Sequence, residues 1–150
     1  METKAAADRM RTLCSRREYC RSEIRAKLQR LDVPSPEKIL DTLQSEGYIN
    51  ESRYAAAFAR DKSALQGWGA LRIRLELRAR GISDECIREA LAAIDTEKAS
   101  SKLESLLRAR LRTLEDDKEE VRWMKLLRYG AGRGYDYEQI KHCYDNIRST

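Results

Sequence analysis

The chain has 150 residues, enough for one ordinary domain or for a few small modules that share their cores. Charged residues make up 37% and hydrophobic residues 41%, with one Phe, two Trp and two Pro, a balance rich in Leu, Ala, Arg and Glu that favours helices. A net charge of +5 excludes a polycationic arm, and no apolar run approaches the roughly 20 residues of a membrane-spanning helix. The polar start Met1-Glu2-Thr3-Lys4 lacks the apolar core of a signal peptide, so a soluble, cytoplasmic protein is expected.

Cap chemistry predicts three helices in each of three units. In the first, an Ala-rich helix near Lys4 to Leu13 is followed by one from about Ser22 to Leu31. A third is opened by Ser35-Pro36-Glu37, with Ser35 as N-cap, and closed by a left-handed Gly47. In the second unit Asn50 caps a helix running to about Leu65, and Gly67 and Gly69 mark a break. The next helix runs from about Ala70 to Gly81, and Ser83-Asp84-Glu85 opens another with two acids where the macrodipole favours them. In the third unit Thr96 caps a Leu-rich helix through Leu114; helices from about Lys118 to Ala131 and from Asp136 follow.

The units repeat. Ile24, Leu28, Val33, Ile39 and Leu43 correspond to Ile73, Leu77, Ile82, Ile87 and Leu91, with one extra residue near Pro34. Leu126, Gly130, Gly134, Tyr135, Ile140 and Tyr144 fall in register with Ile73, Leu77, Gly81, Ile82, Ile87 and Leu91, more weakly because Gly130 replaces a core leucine. Basic and acidic blocks also alternate along the chain, a pattern that solvated helix faces would equally produce.

Within Leu71 to Arg78 apolar and charged residues alternate, which alone is the period of a strand. The register with Ile24 and Leu28 makes it a helix with two apolar stripes, Ile73 with Leu77 and, on nearly the opposite side, Leu71 with Leu75. The first is core; the second is expected to pack against a neighbouring unit or a partner. Arg72 can pair with Glu76 one turn on. Arg74 and Arg78 are then the less neutralised pair, and with Arg60 and Lys62 they form a basic ridge suited to phosphates or acidic side chains. Tyr48, Tyr54 and Phe58 are expected to pack at the junction of the first two units. Trp68, between Gly67 and Gly69, anchors the next helix or stays exposed as a binding hot spot.

Cys14, Cys20, Cys86 and Cys143 show no C-x-x-C pair and read as reduced, mostly buried thiols. His142, the only histidine, lacks the companions of a metal ligand. The glycine-rich segment around Arg133 follows no strand and lacks the Lys-Ser/Thr of a phosphate loop. No Ser-His-Asp set or paired carboxylates in an apolar cleft can be found, so neither enzyme nor cofactor is expected.

The stretch from Tyr48 to Leu91 resembles the central signature of the RecX family. The match runs through Tyr48, Ile49, Arg53, Tyr54, Phe58, Arg60, Gly67, Gly69, Ile73, Leu77, Gly81 and Ile82, with Trp68 among them. Asn50 stands where the family usually has an acid, Ala70 where proline or lysine is common, and Gly130 and Gly132 loosen the third repeat. The resemblance implies an all-α fold, an elongated, curved array of three tandem three-helix repeats over 1–49, 50–95 and 96–150. It further implies a regulator that lies in the groove of a RecA filament on DNA and impedes filament extension, ATP turnover and strand exchange. The residues offered for contact are Arg60, Lys62, Arg74 and Arg78, with Arg25, Arg128 and Arg133 on the other repeats. Weak nonspecific DNA binding and a monomer are the companion expectations. The alternatives are a direct DNA-binding module of helix-turn-helix type, since basic second helices can mimic one, and a purely structural scaffold.

Overall fold

The structure, a computed structural model, describes residues 1–150 as nine α-helices. They are α1 (Thr3–Arg16), α2 (Arg21–Arg30), α3 (Pro36–Ser45), α4 (Glu51–Ala64), α5 (Ala70–Ala79), α6 (Asp84–Ala92), α7 (Thr96–Arg112), α8 (Glu119–Gly132) and α9 (Tyr137–Arg148). No helix is long and apolar enough to cross a membrane. The alternating segment at Leu71 to Arg78 lies within α5, because its helix-forming residues bury Ile73 and Leu77 on one side.

The chain packs as two compact units, Met1–Ala57 with Leu77–Ala90, and Phe58–Glu76 with Leu91–Thr150. In the first, α3 packs on α1 and α2 around Met10, Ile24, Leu28, Leu40, Leu43 and Ile49, each at most 1% exposed. Each such side chain stabilises the fold by about 1.5–3 kcal/mol through burial. Leu77, Ile82 and Ile87 are buried in the same unit, and the Ser22 hydroxyl donates to the Arg80 carbonyl at 2.9 Å. In the second unit α7, α8 and α9 pack mutually around Leu103, Leu107, Leu126 and Ile140, and Trp123 stacks on Tyr144 with centroids 5.0 Å apart.

The repeat register holds in three dimensions. Every position of the three matched sets is buried except Leu91, which is half-buried, and Gly81, which is exposed. Gly130 fits the weak third set for a steric reason: a Cβ there would lie 2.7 Å from Ile140 Cδ1, so the isoleucine occupies the space that a leucine fills elsewhere. The residue preceding Val33, Ile82 and Tyr135 is left-handed each time, Asp32 at φ 51°, Gly81 at 77° and Gly134 at 101°. All three repeats therefore turn from second to third helix through the same conformation.

Caps decide the helix starts. Asn50 Oδ1 accepts from the Arg53 N–H at 2.9 Å, Ser83 Oγ from Cys86 at 3.2 Å and Asp136 Oδ1 from Gln139 at 2.8 Å, as the sequence predicts. Two expectations fail. Ser35 occupies the N-cap position of α3 without a side-chain cap bond; Pro36 at the first helical position already fixes φ. Thr96 is the first residue of α7, and the cap is Asp95, whose Oδ1 accepts from Glu97 and Lys98 at 3.0 and 3.1 Å.

Candidate interaction surface

The start of α5 is built from backbone. Gly67, at φ 66°, turns the chain after α4, and the Gly69 N–H donates to the Arg133 carbonyl at 2.7 Å and the Leu71 N–H to the Gly134 carbonyl at 3.0 Å. N–H groups of a first helical turn have no partner within their own helix; here the turn between α8 and α9 supplies acceptors. The approach is close enough that a Cβ on Gly69 would fall 2.3 Å from the Gly134 oxygen, and one on Gly134 2.5 Å from Arg72 Cβ. Gly134, read from sequence only as a repeat marker, is thus a docking residue for α5.

Trp68 rests beside this junction. The Arg72 guanidinium lies 4.0 Å from its ring centroid and Lys62 Nζ 4.8 Å, and Phe58 meets it edge-on at 6.2 Å. The indole is half-buried, an anchor gripped by two cations, each contact being worth about 0.5–2 kcal/mol. Arg72, expected to reach for Glu76, is placed over Trp68 and also approaches the Gly132 carbonyl at 3.5 Å. Lys62 is likewise directed toward the aromatic pair.

The other basic candidates fall into two kinds. Arg25 is folded onto α3, its Nε 2.7 Å from Glu37, and Arg21 bridges Glu37 and Asp41 at 3.0 and 2.6 Å. Hydrogen bonds from Arg25 and then Arg21 hold the Glu37 carboxyl down at about 2. The first basic and acidic blocks of the sequence therefore largely answer each other within one unit. Arg78 meets Asp84 at 3.3 Å. Arg133 is half-buried with its Nε enclosed and unpartnered, a packing residue of the α8–α9 turn. Arg60, 72% exposed, faces its neighbour Asp61 at 3.5 Å. Arg74 and Arg128 are exposed and make no ion pair.

Sequence reasoning set Leu71 and Leu75 on a stripe opposite the core but did not single out Leu65. Leu65 is 73%, Leu71 44% and Leu75 68% exposed, so the outer stripe of α5 is left to solvent. A cavity of about 400 Å³ in the second unit, walled by Trp68, Leu91, Ile94, Leu103 and Tyr135 and rimmed by His142, is lined by none of the basic candidates. His142 is exposed, its Nε2 3.4 Å from the Asn146 amide. Cys14, Cys20 and Cys143 are buried thiols and Cys86 is half-buried, none in a disulfide.

A family model of RecX, second three-helix domain, matches residues 50–91. The chain is 36% identical over 133 residues to the regulatory protein RecX of Chromohalobacter salexigens, a match covering 87% of this chain and 85% of that protein. The chain belongs to the RecX family. It is also 30% identical over 148 residues to the RecX of Prosthecochloris aestuarii, covering 97% and 95%. The crystal structure of RecX from Lactobacillus salivarius shares the fold at a TM-score of 0.86 and 20% identity, over 98% of this chain and 97% of that one. A second crystal structure of a regulatory protein RecX gives 0.87 at 26% identity, over 95% and 71%.

Most RecX signature residues in this chain have structural work. Ile73 and Leu77 are fully buried and Tyr54 is 6% exposed; burial pushes the Tyr54 hydroxyl well above its ordinary range. Tyr48 packs at the edge of the first core. Arg53 ties Glu18 to the Gly47 carbonyl, the latter at 3.0 Å. Gly67 and Gly81 take positive φ, and Gly69 admits a backbone. Arg60, by contrast, projects into solvent.

Proposed function

We propose that this RecX protein is a non-enzymatic regulator that binds the RecA filament on DNA along its groove and inhibits filament extension, ATP hydrolysis and strand exchange. The observation that carries the reading is family membership over nearly the whole chain, joined to a second unit whose exposed Arg60 and Arg74 stand in the open with Leu65, Leu71 and Leu75. Repeats over 1–49, 50–95 and 96–150 would offer many modest contacts, and contacts of that kind sum along a filament without a deep pocket. A monomer suffices for this.

The charge of the third helices favours a protein partner over a direct reader of duplex DNA. In helix-turn-helix modules it is the last helix that enters the major groove. Here α3 carries one Lys against two acids, α6 one Arg against three acids and α9 two basic against two acidic residues. None has the excess of positive charge that phosphate-lined grooves demand. The test is DNA-dependent ATP hydrolysis by RecA with increasing amounts of this chain. Inhibition at less than one copy per recombinase is expected; unchanged turnover overturns the reading, and tight sequence-specific binding to bare duplex supports the direct DNA reader in its place.

A further inference from the structure

On α5 Leu71, Arg72, Arg74 and Leu75, all of one unit, define a face. Advancing by about 100° per residue, Leu71 and Leu75 form a central stripe with Arg72 on one flank and Arg74 on the other. Leu71 and Leu75 are 44% and 68% exposed and Arg74 is exposed without an ion pair. Arg72 is held over Trp68 at 4.0 Å, so one flank is a cation fixed by an aromatic ring and the other a cation without an ion pair. Glu76, the only acid of α5, falls about 140° from Leu71, outside this arc.

From this we infer that the Leu71–Leu75 stripe, bracketed by Arg72 and Arg74, is a docking face for an apolar protein ridge edged with carboxylates, and that it takes protein and not nucleic acid. The inference rests on the proposed function and names the chemistry of its contact surface. The chemistry separates the two classes of partner. A phosphate backbone rewards the arginines but gains nothing from two exposed leucines, whereas a protein ridge covers the leucines and pairs its acidic edges with the guanidiniums. Two leucines one turn apart fit between the side chains of a partner helix as knobs into a hole, and arginine is the cation suited to bidentate pairing with carboxylates at the rim. The core does not require these residues, since the opposite stripe of Ile73 and Leu77 is the buried one.

Four chains spanning all 150 residues test this: the natural sequence, L71S/L75S, R74E and, as a control elsewhere on the surface, R9E at the exposed Arg9 of α1, which should bind as the natural chain does. Each is titrated against a RecA filament on single-stranded DNA and against the same DNA bare, with thermal unfolding run in parallel. L71S/L75S and R74E should each weaken filament binding by roughly tenfold, leave affinity for bare DNA unchanged for the leucine pair, and keep the melting profile of the natural chain. Filament affinity unchanged in L71S/L75S, while the natural chain binds, overturns this inference and leaves the functional reading intact. Equal losses on filament and on bare DNA for the leucine pair make the partner nucleic acid and overturn it too. If the natural chain fails to bind the filament, the functional reading and this inference both fall.

Discussion

Replacing Gly69 by alanine strikes the point where two backbones come closest. The added methyl would lie 2.3 Å from the Gly134 oxygen and 2.7 Å from the Tyr135 nitrogen, distances that backbone cannot accommodate by a side-chain rotation. The turn between α8 and α9 has to withdraw, which lengthens or breaks the 2.7 Å bond from Gly69 to Arg133 and the 3.0 Å bond from Leu71 to Gly134. Overpacking costs about 1–3 kcal/mol and each lost hydrogen bond about 0.5–1.5 kcal/mol; taken together, a loss of about 3 kcal/mol is expected. For a chain of this size that corresponds to a drop of roughly 6–12 °C in melting temperature. Gly132 is the control, because a Cβ there meets nothing within 4 Å, so G132A should stay within about 0.5 kcal/mol of the natural chain. Both tryptophans, Trp68 and Trp123, belong to the second unit, and urea unfolding followed by their fluorescence reads the affected region. A G69A midpoint indistinguishable from that of G132A would refute the close-approach argument.

Three further outcomes follow from particular contacts. D95A should destabilise the chain by about 1 kcal/mol through loss of the α7 cap, whereas T96A should be close to neutral, as measured by chemical denaturation. The Glu37 carboxyl should titrate near 2 in place of its ordinary 4.5, and R25A should move it upward in an NMR titration of side-chain carboxyl resonances. Because its folded value is depressed, the stability it contributes is present above pH 4.5 and is lost as pH falls toward about 2. Cys86, half-buried, should react first with an aromatic disulfide reagent; Cys14, Cys20 and Cys143, which are enclosed and whose thiols burial pushes up, should react only on unfolding.

Periodic features were legible in the sequence because their causes are local. The matched sets beginning at Ile24, Ile73 and Leu126 place core residues correctly, and Asn50, Ser83 and Asp136 cap where the spacing says they should. Asp95 and Thr96 are both acceptable caps, and only the observed chain path chooses between them. Charge was harder to read. Nothing near Arg25 in sequence shows that Glu37 will meet it, and nothing at Arg72 shows that Trp68 will outcompete a neighbour one turn away. Those partners are chosen by tertiary packing. Arg74 and the Leu71–Leu75 stripe stand out on the helical wheel alone, whereas the contacts that take up Arg25, Lys62, Arg78 and Arg133 become visible only once the fold is in hand.

The bonds from Gly69 and Leu71 to the carbonyls of Arg133 and Gly134 also order events during synthesis. As the chain emerges from the ribosome, the family-defining helix α5 appears well before the turn that must accept its first N–H groups. Its amino end therefore stays hydrated and provisional until the last two helices have cleared the exit, and a chaperone or protease meeting the nascent chain encounters the signature segment in that unfinished state.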